Sequence, residues 1–344
     1  MTTSSLSLSR LLGRRAAFVA VTAVSTLALV ACGGSDETGS STLQPTDAGA
    51  GAGITIEHKF GSTVVPEAPE RVVSLGYTEQ DALVLFGIEP IAVRYAFGPE
   101  DDVFFPWADE AAGDANPVIL PREEINFEQI AALDPDLIMG ITAGLTDTEY
   151  ERLSEIAPTV LQPAEYVDFG TPWQVQTMVT GKVFGQEERA AEIVAEVEQA
   201  FAATTAEHPE LDGATLALSG PSYEGQYPFH ASDDTRTRFF GELGLVVPPE
   251  LDEIAGEQFY GGLSREQASM LDTDVLVWQS GSDAERAEIE SDPVLSALPV
   301  VREGRSIFIE GDDYAALQFT SALSLPYLLD SFVPKLAAAV RGGS

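Results

Sequence analysis

The sequence predicts an α/β protein of two lobes, each built on a mostly parallel central sheet, joined by one long α-helix. Three observations carry that expectation. The first is the stretch Thr171–Glu207. Thr171 suits an N-cap and Pro172 the first helical position. Val175, Val179 and Val183 follow at helical spacing, and Gly185 then weakens the helix. Glu187 and Glu188 favour a fresh N-terminus, and Ile193, Val194, Val197 and Phe201 share one face opposite Glu192, Glu196, Glu198 and Gln199. Some 20 residues at about 1.5 Å each give a rod of roughly 30 Å, the width of a small domain, so this helix can join two of them.

The second observation is an internal repeat. Residues 126–139, NFEQIAALDPDLIM, align without a gap on residues 264–277, SREQASMLDTDVLV. They share Glu128/Glu266, Gln129/Gln267, Leu133/Leu271, Asp134/Asp272 and Asp136/Asp274. Each copy reads as a short helix opened by an N-cap residue (Asn126, Ser264), a tight turn and an apolar strand, once on each side of the connecting helix. The third is alternation. Short strands at 71–75, 90–93, 117–120, 137–139 and 159–161, then at 215–219, 275–278 and 306–309, are mostly separated by helical stretches, which implies parallel sheets. A hairpin around Gly61-Ser62 precedes them, and an Ala- and Leu-rich helix within 316–340, interrupted at Pro326, closes the chain.

Length and charge set the outer bounds. A chain of 344 residues exceeds what one core usually supports. Its 18 Lys and Arg against 55 Asp and Glu give a net charge of −37, which argues against nucleic acid as a partner. The carboxylates are scattered rather than clustered, which fits a saline or acidic habitat better than a cationic ligand.

Residues 1–31 read as a targeting segment. Arg10, Arg14 and Arg15 precede an apolar run too short for a comfortable membrane span. The run ends in Leu29-Val30-Ala31-Cys32-Gly33, which resembles the lipobox of bacterial lipoproteins and makes Cys32, the sole cysteine, the lipidated residue. Arg14-Arg15 is an imperfect twin-arginine signal, so the general export route is expected. Residues 32–53, rich in Gly, Ser, Thr and Ala, form a tether. A first lobe at 54–170, connecting helices at 171–207 and a second lobe at 208–344 complete the expected organisation, held at the outer face of the cytoplasmic membrane.

In α/β lobes ligands lie beyond the carboxyl ends of the strands, and that rule picks out the loops rich in aromatics and arginines. They hold Tyr77; Arg94, Tyr95, Phe97 and Trp107; Arg122; and, in the second lobe, Tyr223, Tyr227, Phe229, His230, Arg236 and Arg238, with Tyr260, Trp278 and Tyr314 further on. Trp173 and Trp278 suit cleft walls or core equally. Such a set suits a large, partly apolar ligand with a few polar anchors.

The runs Ala68–Leu75, Phe86–Val93, Asn126–Ile138, Leu153–Thr159 and Val294–Phe308, taken in order, resemble the helical-backbone substrate-binding proteins of ABC importers for ferric siderophores, haem and vitamin B12. The resemblance implies a ligand cleft between two lobes, no enzymatic activity, no cofactor, and a monomer that delivers its ligand to a transmembrane permease. It implies permease docking by Glu128 and Glu266, at equivalent points of the repeat. Arg122, in Arg-Glu-Glu-Ile-Asn-Phe-Glu, resembles an arginine that hydroxamate-binding members place on iron-coordinating oxygens. Tyr77, Arg94, Tyr95, Trp107, Tyr227, Arg236 and Arg238 complete the expected binding set, and a ferric siderophore is the expected ligand. Haem and cobalamin are the alternatives within the fold, with Tyr77, Tyr95, Tyr227 or His230 as axial candidates for haem. Direct metal binding is disfavoured, because His58, His208 and His230 show no ligand spacing. A hydrolase, with His230 as base, is the distant alternative: G-x-S-x-G and H-E-x-x-H are both missing.

Overall fold

The computed structural model describes residues 53–98 and 103–342. The targeting segment, Cys32 and the tether up to residue 52 lie outside them. An antiparallel hairpin opens the fold, β1 (Ile54–His58) with β2 (Gly61–Val65), turning at Lys59-Phe60 rather than at Gly61-Ser62. The first lobe follows as β3 (Val72–Ser74), α1 (Glu79–Leu85), β4 (Ala92–Arg94), α2 (Asp109–Ala112), β5 (Val118–Leu120), α3 (Phe127–Ala132), β6 (Leu137–Gly140), α4 (Asp147–Ser154) and β7 (Thr159–Leu161). Its five strands run parallel in the order β5-β4-β3-β6-β7. Helices cover both faces, so β3, β6 and β7 are buried along their whole length and read as unbroken apolar runs.

Two helices, α5 (Trp173–Val183) and α6 (Glu187–Glu207), then cross to the second lobe, broken at Gly185, whose φ of 64° is left-handed. Helix α5 starts one residue later than expected, with Pro172 outside it. Helix α6 has 21 residues, and Ile193, Val197 and Phe201 are buried on its inner face as expected, joined by Ala190. This face packs into the second-lobe core.

The second lobe comprises β8 (Leu216–Ser219), β9 (Tyr227–His230), α7 (Thr235–Glu242), α8 (Pro249–Ala255), β10 (Tyr260–Leu263), a 3-10 helix (Arg265–Leu271), β11 (Val275–Gln279), α9 (Asp283–Ser291), α10 (Pro299–Arg302), β12 (Ser306–Ile309), α11 (Gly311–Gln318), α12 (Ser324–Ser331) and α13 (Val333–Val340). Its sheet runs β10-β9-β8-β11-β12. Strands β8, β11 and β12 are parallel, but β9 is antiparallel to both its neighbours. The loop expected after Ser219 is thus a hairpin. Glu224 and Gly225, with φ of 51° and 77°, turn the chain between Tyr223 and Gln226, which exchange two backbone hydrogen bonds. The single closing helix expected over 316–340 is instead three. Pro326 falls in the first turn of α12, where no N–H is needed, and does not kink it.

The repeat is structural. Asn126 caps α3 by accepting from the Gln129 N–H at 3.0 Å, and the Ser264 N–H donates to Gln267 Oε1 at 3.1 Å. Asp136 accepts from the backbone N–H groups of Glu70 and Arg71, both at 2.9 Å, at the entrance to β3. Asp274 accepts from the Thr215 N–H at 2.8 Å and its hydroxyl at 2.7 Å at the entrance to β8. Arg71 donates to the Asp134 carbonyl and Arg305 to that of Asp274, both at 2.8 Å, bracing the equivalent turns. Charge-assisted bonds to carboxylates contribute about 1.5–3 kcal/mol. Asp136→Ala and Asp274→Ala should therefore each lower the stability of the chain by about 1–3 kcal/mol in urea denaturation. A loss at one position alone would undo their equivalence.

Candidate ligand-binding cleft

In both sheets the chain leaves in opposite directions from a central parallel pair, β3–β6 in the first lobe and β8–β11 in the second. Such switch points open a crevice beyond the carboxyl ends of the strands. The loops at these ends meet. Thr78, in a left-handed conformation (φ 56°) just after β3, donates its hydroxyl to the Phe319 carbonyl of the second lobe at 2.8 Å. The Phe319 ring sits 5.2 Å from Tyr77, 6.1 Å from Phe169 and 6.4 Å from Phe97. Phe97 continues to Phe105 at 5.4 Å, Phe105 stacks on Trp107 at 4.6 Å, and Trp107 lies 5.4 Å from Tyr327 on α12. Together these rings make an aromatic wall that crosses from lobe to lobe.

The arginines divide into fixed and free. Arg94, at the end of β4, lies 5.0 Å over the Tyr77 ring. It donates to the Arg122 carbonyl at 3.0 and 2.6 Å and to that of Ala143 at 3.4 Å. Its charge is held in the wall, and its donors fix the loop that presents Arg122. The Arg122 guanidinium is exposed and has no hydrogen-bond or ion-pair partner among the described residues. Tyr95 donates to the Gly98 carbonyl at 2.9 Å. In the second lobe, burial raises the Tyr314 phenol, and Glu285 adds to this, while Arg236 and Arg122 pull it down. Tyr314 therefore lies in the fields of one arginine from each lobe.

A cavity of about 220 Å³ beside Tyr314 is lined by His230, Arg236, Gln279, Glu285 and Gln318. Asp234, buried beneath it, accepts from Arg236 at 2.8 and 2.7 Å and meets His230 Nδ1 at 3.3 Å. Burial alone would raise the Asp234 carboxyl; the bonds and charges of Arg236 and His230 outweigh it and hold it well below the usual carboxylate range. Burial lowers His230, so the ring is neutral near pH 7. Its Nδ1–H then donates to Asp234, and Nε2 accepts from the Gln279 amide at 2.7 Å. The Gln279 carbonyl in turn accepts from Gln318 at 3.1 Å. This chain of bonds fixes the wall and leaves neither histidine nitrogen open to a ligand.

Two expected contacts lie elsewhere. Tyr227 is 1% exposed on β9, with its hydroxyl donating to Asp292 at 3.0 Å, because the hairpin turns it into the core. Arg238 donates to the Gly170 carbonyl at 2.8 Å and braces the chain entering α5. Trp173 and Trp278 are both core residues, the former donating to Glu242 at 3.0 Å. Phe169, Phe319, Gln279 and Gln318 escaped the sequence reading. Phe169 has a left-handed φ of 64°, and Phe319 ends a helix expected to continue, so neither carried a local signal. Among the described residues no group of three or more His, Cys, Asp or Glu is arranged to hold a metal ion. Glu128 and Glu266 are both exposed, each in the first turn of its helix; Glu266 is held low by its own backbone amide and by Ser264.

Residues 75–312 match the periplasmic binding protein family. The chain is 26% identical over 301 residues to the ferric-anguibactin-binding protein FatB of Vibrio anguillarum, covering 81% of this chain and 86% of that one. Its fold matches a periplasmic solute binding protein from Mycobacterium smegmatis with a TM-score of 0.76 and 36% identity, over 84% of this chain and 99% of that one. It also matches the substrate-binding protein PiaA of Streptococcus pneumoniae, solved with ferrichrome, with a TM-score of 0.72 and 25% identity over 85% and 100%. With a single family match spanning most of the chain and both lobes of the fold, this protein belongs to the periplasmic binding protein family.

Proposed function

We propose that the chain is an extracytoplasmic solute-binding protein of an ABC importer, which captures a ferric siderophore in the interlobe cleft and delivers it to the permease. The observation that carries this reading is the aromatic wall that crosses from lobe to lobe, beside which Arg94, stacked over Tyr77, holds the loop that presents the open guanidinium of Arg122. Guanidinium groups suit the anionic oxygens of a ferric chelate, and aromatic faces suit its organic shell. Arg122, Arg236, Tyr77, Tyr95 and Trp107 stay in the binding set, Tyr314 joins it, and Arg94 serves chiefly to present Arg122. The likeness to FatB and to PiaA with ferrichrome supports the ligand class. Of the axial candidates for haem, His230 has both nitrogens engaged, Tyr227 is buried on Asp292 and Tyr95 is tied to Gly98, which supports the chelate over haem. Anchoring through lipid on Cys32 and docking through Glu128 and Glu266, as a monomer, complete the proposal.

The ligand class is tested by Trp-fluorescence titration with ferric hydroxamates, ferric catecholates, ferric citrate, haem and cobalamin, each beside its metal-free form. Saturable quenching by one ferric chelate, absent without iron, is expected; binding of haem or cobalamin alone would move the ligand within the fold. Arg122→Glu should weaken binding of that chelate at least tenfold, about 1.4 kcal/mol or more, since a charge-assisted contact is reversed in sign. Wild-type affinity in this variant removes Arg122 from the site. Glu128→Ala with Glu266→Ala should abolish uptake by cells while ligand affinity is unchanged. Full uptake by the double variant would sink the docking assignment.

A further inference from the structure

The first turn of α1 buries two carboxylates where the lobes meet: Glu79 is 0% exposed and Asp81 1%. Glu79 accepts from the Gly76 N–H at 2.9 Å and the Ile141 N–H at 2.8 Å, tying the end of β3 to that of β6. Asp81 reaches across the junction. Its Oδ2 accepts from the Trp107 indole at 2.8 Å and from the Ser321 hydroxyl, in the second lobe, at 2.7 Å. Its Oδ1 is buried without a hydrogen-bond partner. Ser321 is itself fixed by reciprocal bonds with Ser324 at 2.9 and 3.0 Å. With the Thr78 bond to the Phe319 carbonyl, the segment 319–321 is pinned at two points to the first turn of α1.

The charged and titratable groups on the elements around α1 are Asp109 and Glu110 on α2, Lys182 on α5, and Tyr327 and Asp330 on α12. None of them offsets the buried charge. Burial pushes the Asp81 carboxyl up to about 6, against the lowering by Ser321 and Trp107. Burial likewise pushes Glu79 up to about 7, against its two backbone bonds.

We infer that Asp81 is a proton-sensitive positioning residue of the cleft, holding Trp107 of the first lobe and Ser321 of the second on one carboxylate oxygen and so setting the aromatic wall on which the ligand rests. The inference builds on the cleft being the binding site. Parting the lobes here returns Asp81 to water, where a carboxyl ionises near pH 4. The joined state keeps its proton to a higher pH. Joining thus takes up a proton between these limits, is favoured as pH falls through that window, and loses the advantage as pH rises past the upper limit.

The test reads the indole N–H resonance of Trp107 in the ¹⁵N-labelled full chain without ligand, assigned by Trp107→Phe. Across pH 5 to 7.5, roughly the span that burial gives a raised carboxyl, the resonance should titrate in the wild type and stay flat in Asp81→Asn. Its midpoint should rise in Ser321→Ala, which removes a bond that lowers the carboxyl. A flat resonance in the wild type, or an unchanged titration in Asp81→Asn, overturns the inference. Binding of ferrichrome should tighten several-fold from pH 7 to 5.5 in the wild type relative to Asp81→Asn. Equal pH dependence in the two severs the junction from the cleft. Absence of binding of any ferric probe by either protein overturns the cleft reading instead, and the indole titration still decides the role of Asp81.

Discussion

The cleft depends first on how each central strand is entered. Asp136 holds the backbone at the start of β3, and Asp274 holds it at the start of β8. Each carboxylate sits at the head of the neighbouring strand, so one side chain sets both the pairing and the direction of β3–β6 and of β8–β11. With all four strands entered from the clamped end, their carboxyl ends share the opposite edge, where the chain diverges and a crevice opens. The same arrangement locates the glutamates. Helix α3 begins soon after β5 ends, and the 3-10 helix begins directly after β10, so Glu128 and Glu266 lie at the edge where strands finish. The repeated unit thus places two exposed glutamates at equivalent points of the two lobes.

What the sequence made legible follows from where burial is complete. Leu137–Gly140 and Val275–Gln279 are buried along their whole length, so their apolar runs need no context to read as interior strands. The repeat was legible because Asp136 and Asp274 keep one backbone role in both lobes. The β8–β9 hairpin was not: its turn is Glu224-Gly225 rather than one of the common hairpin pairs, and β9, Tyr-Pro-Phe-His, carries a proline. That one gap misplaced Tyr227, which the hairpin turns inward. Asp81 was invisible for another reason. An acid in the first turn of a helix reads as a partner of the helix dipole, and its burial comes from Ser321, far away in sequence.

The charge of the whole chain and that of the cleft point in opposite directions. A net charge of −37 repels an anionic chelate at long range, but salt screens that field within about 8–10 Å. Inside the cleft the sign is local. Arg236 is cancelled by Asp234, and Arg94 is spread over two carbonyls and a ring, so among the described residues of the cleft Arg122 keeps its donors open. Recognition by such a site rests on short-range geometry, with the fixed groups serving to hold the free one in place.

The joint and the cleft share one short segment. Phe169 belongs to the aromatic wall, the Gly170 carbonyl receives Arg238 in the middle of α7, and Trp173 donates to Glu242 at the C-terminal end of α7. These successive residues lead straight into α5, so any rotation of the second lobe against this segment has to break or carry those bonds. A pivot at the Arg238 tie would move the Phe169 ring against Tyr77 and Phe319, which belong to different lobes. The left-handed backbone of Phe169 stores strain at that point, and the contacts on either side of it are what keep it there. On the far side of the wall Asp81 makes the matching tie through Trp107 and Ser321. The lobes are thus held at both ends of one row of rings, so a change in their angle moves that row as a whole.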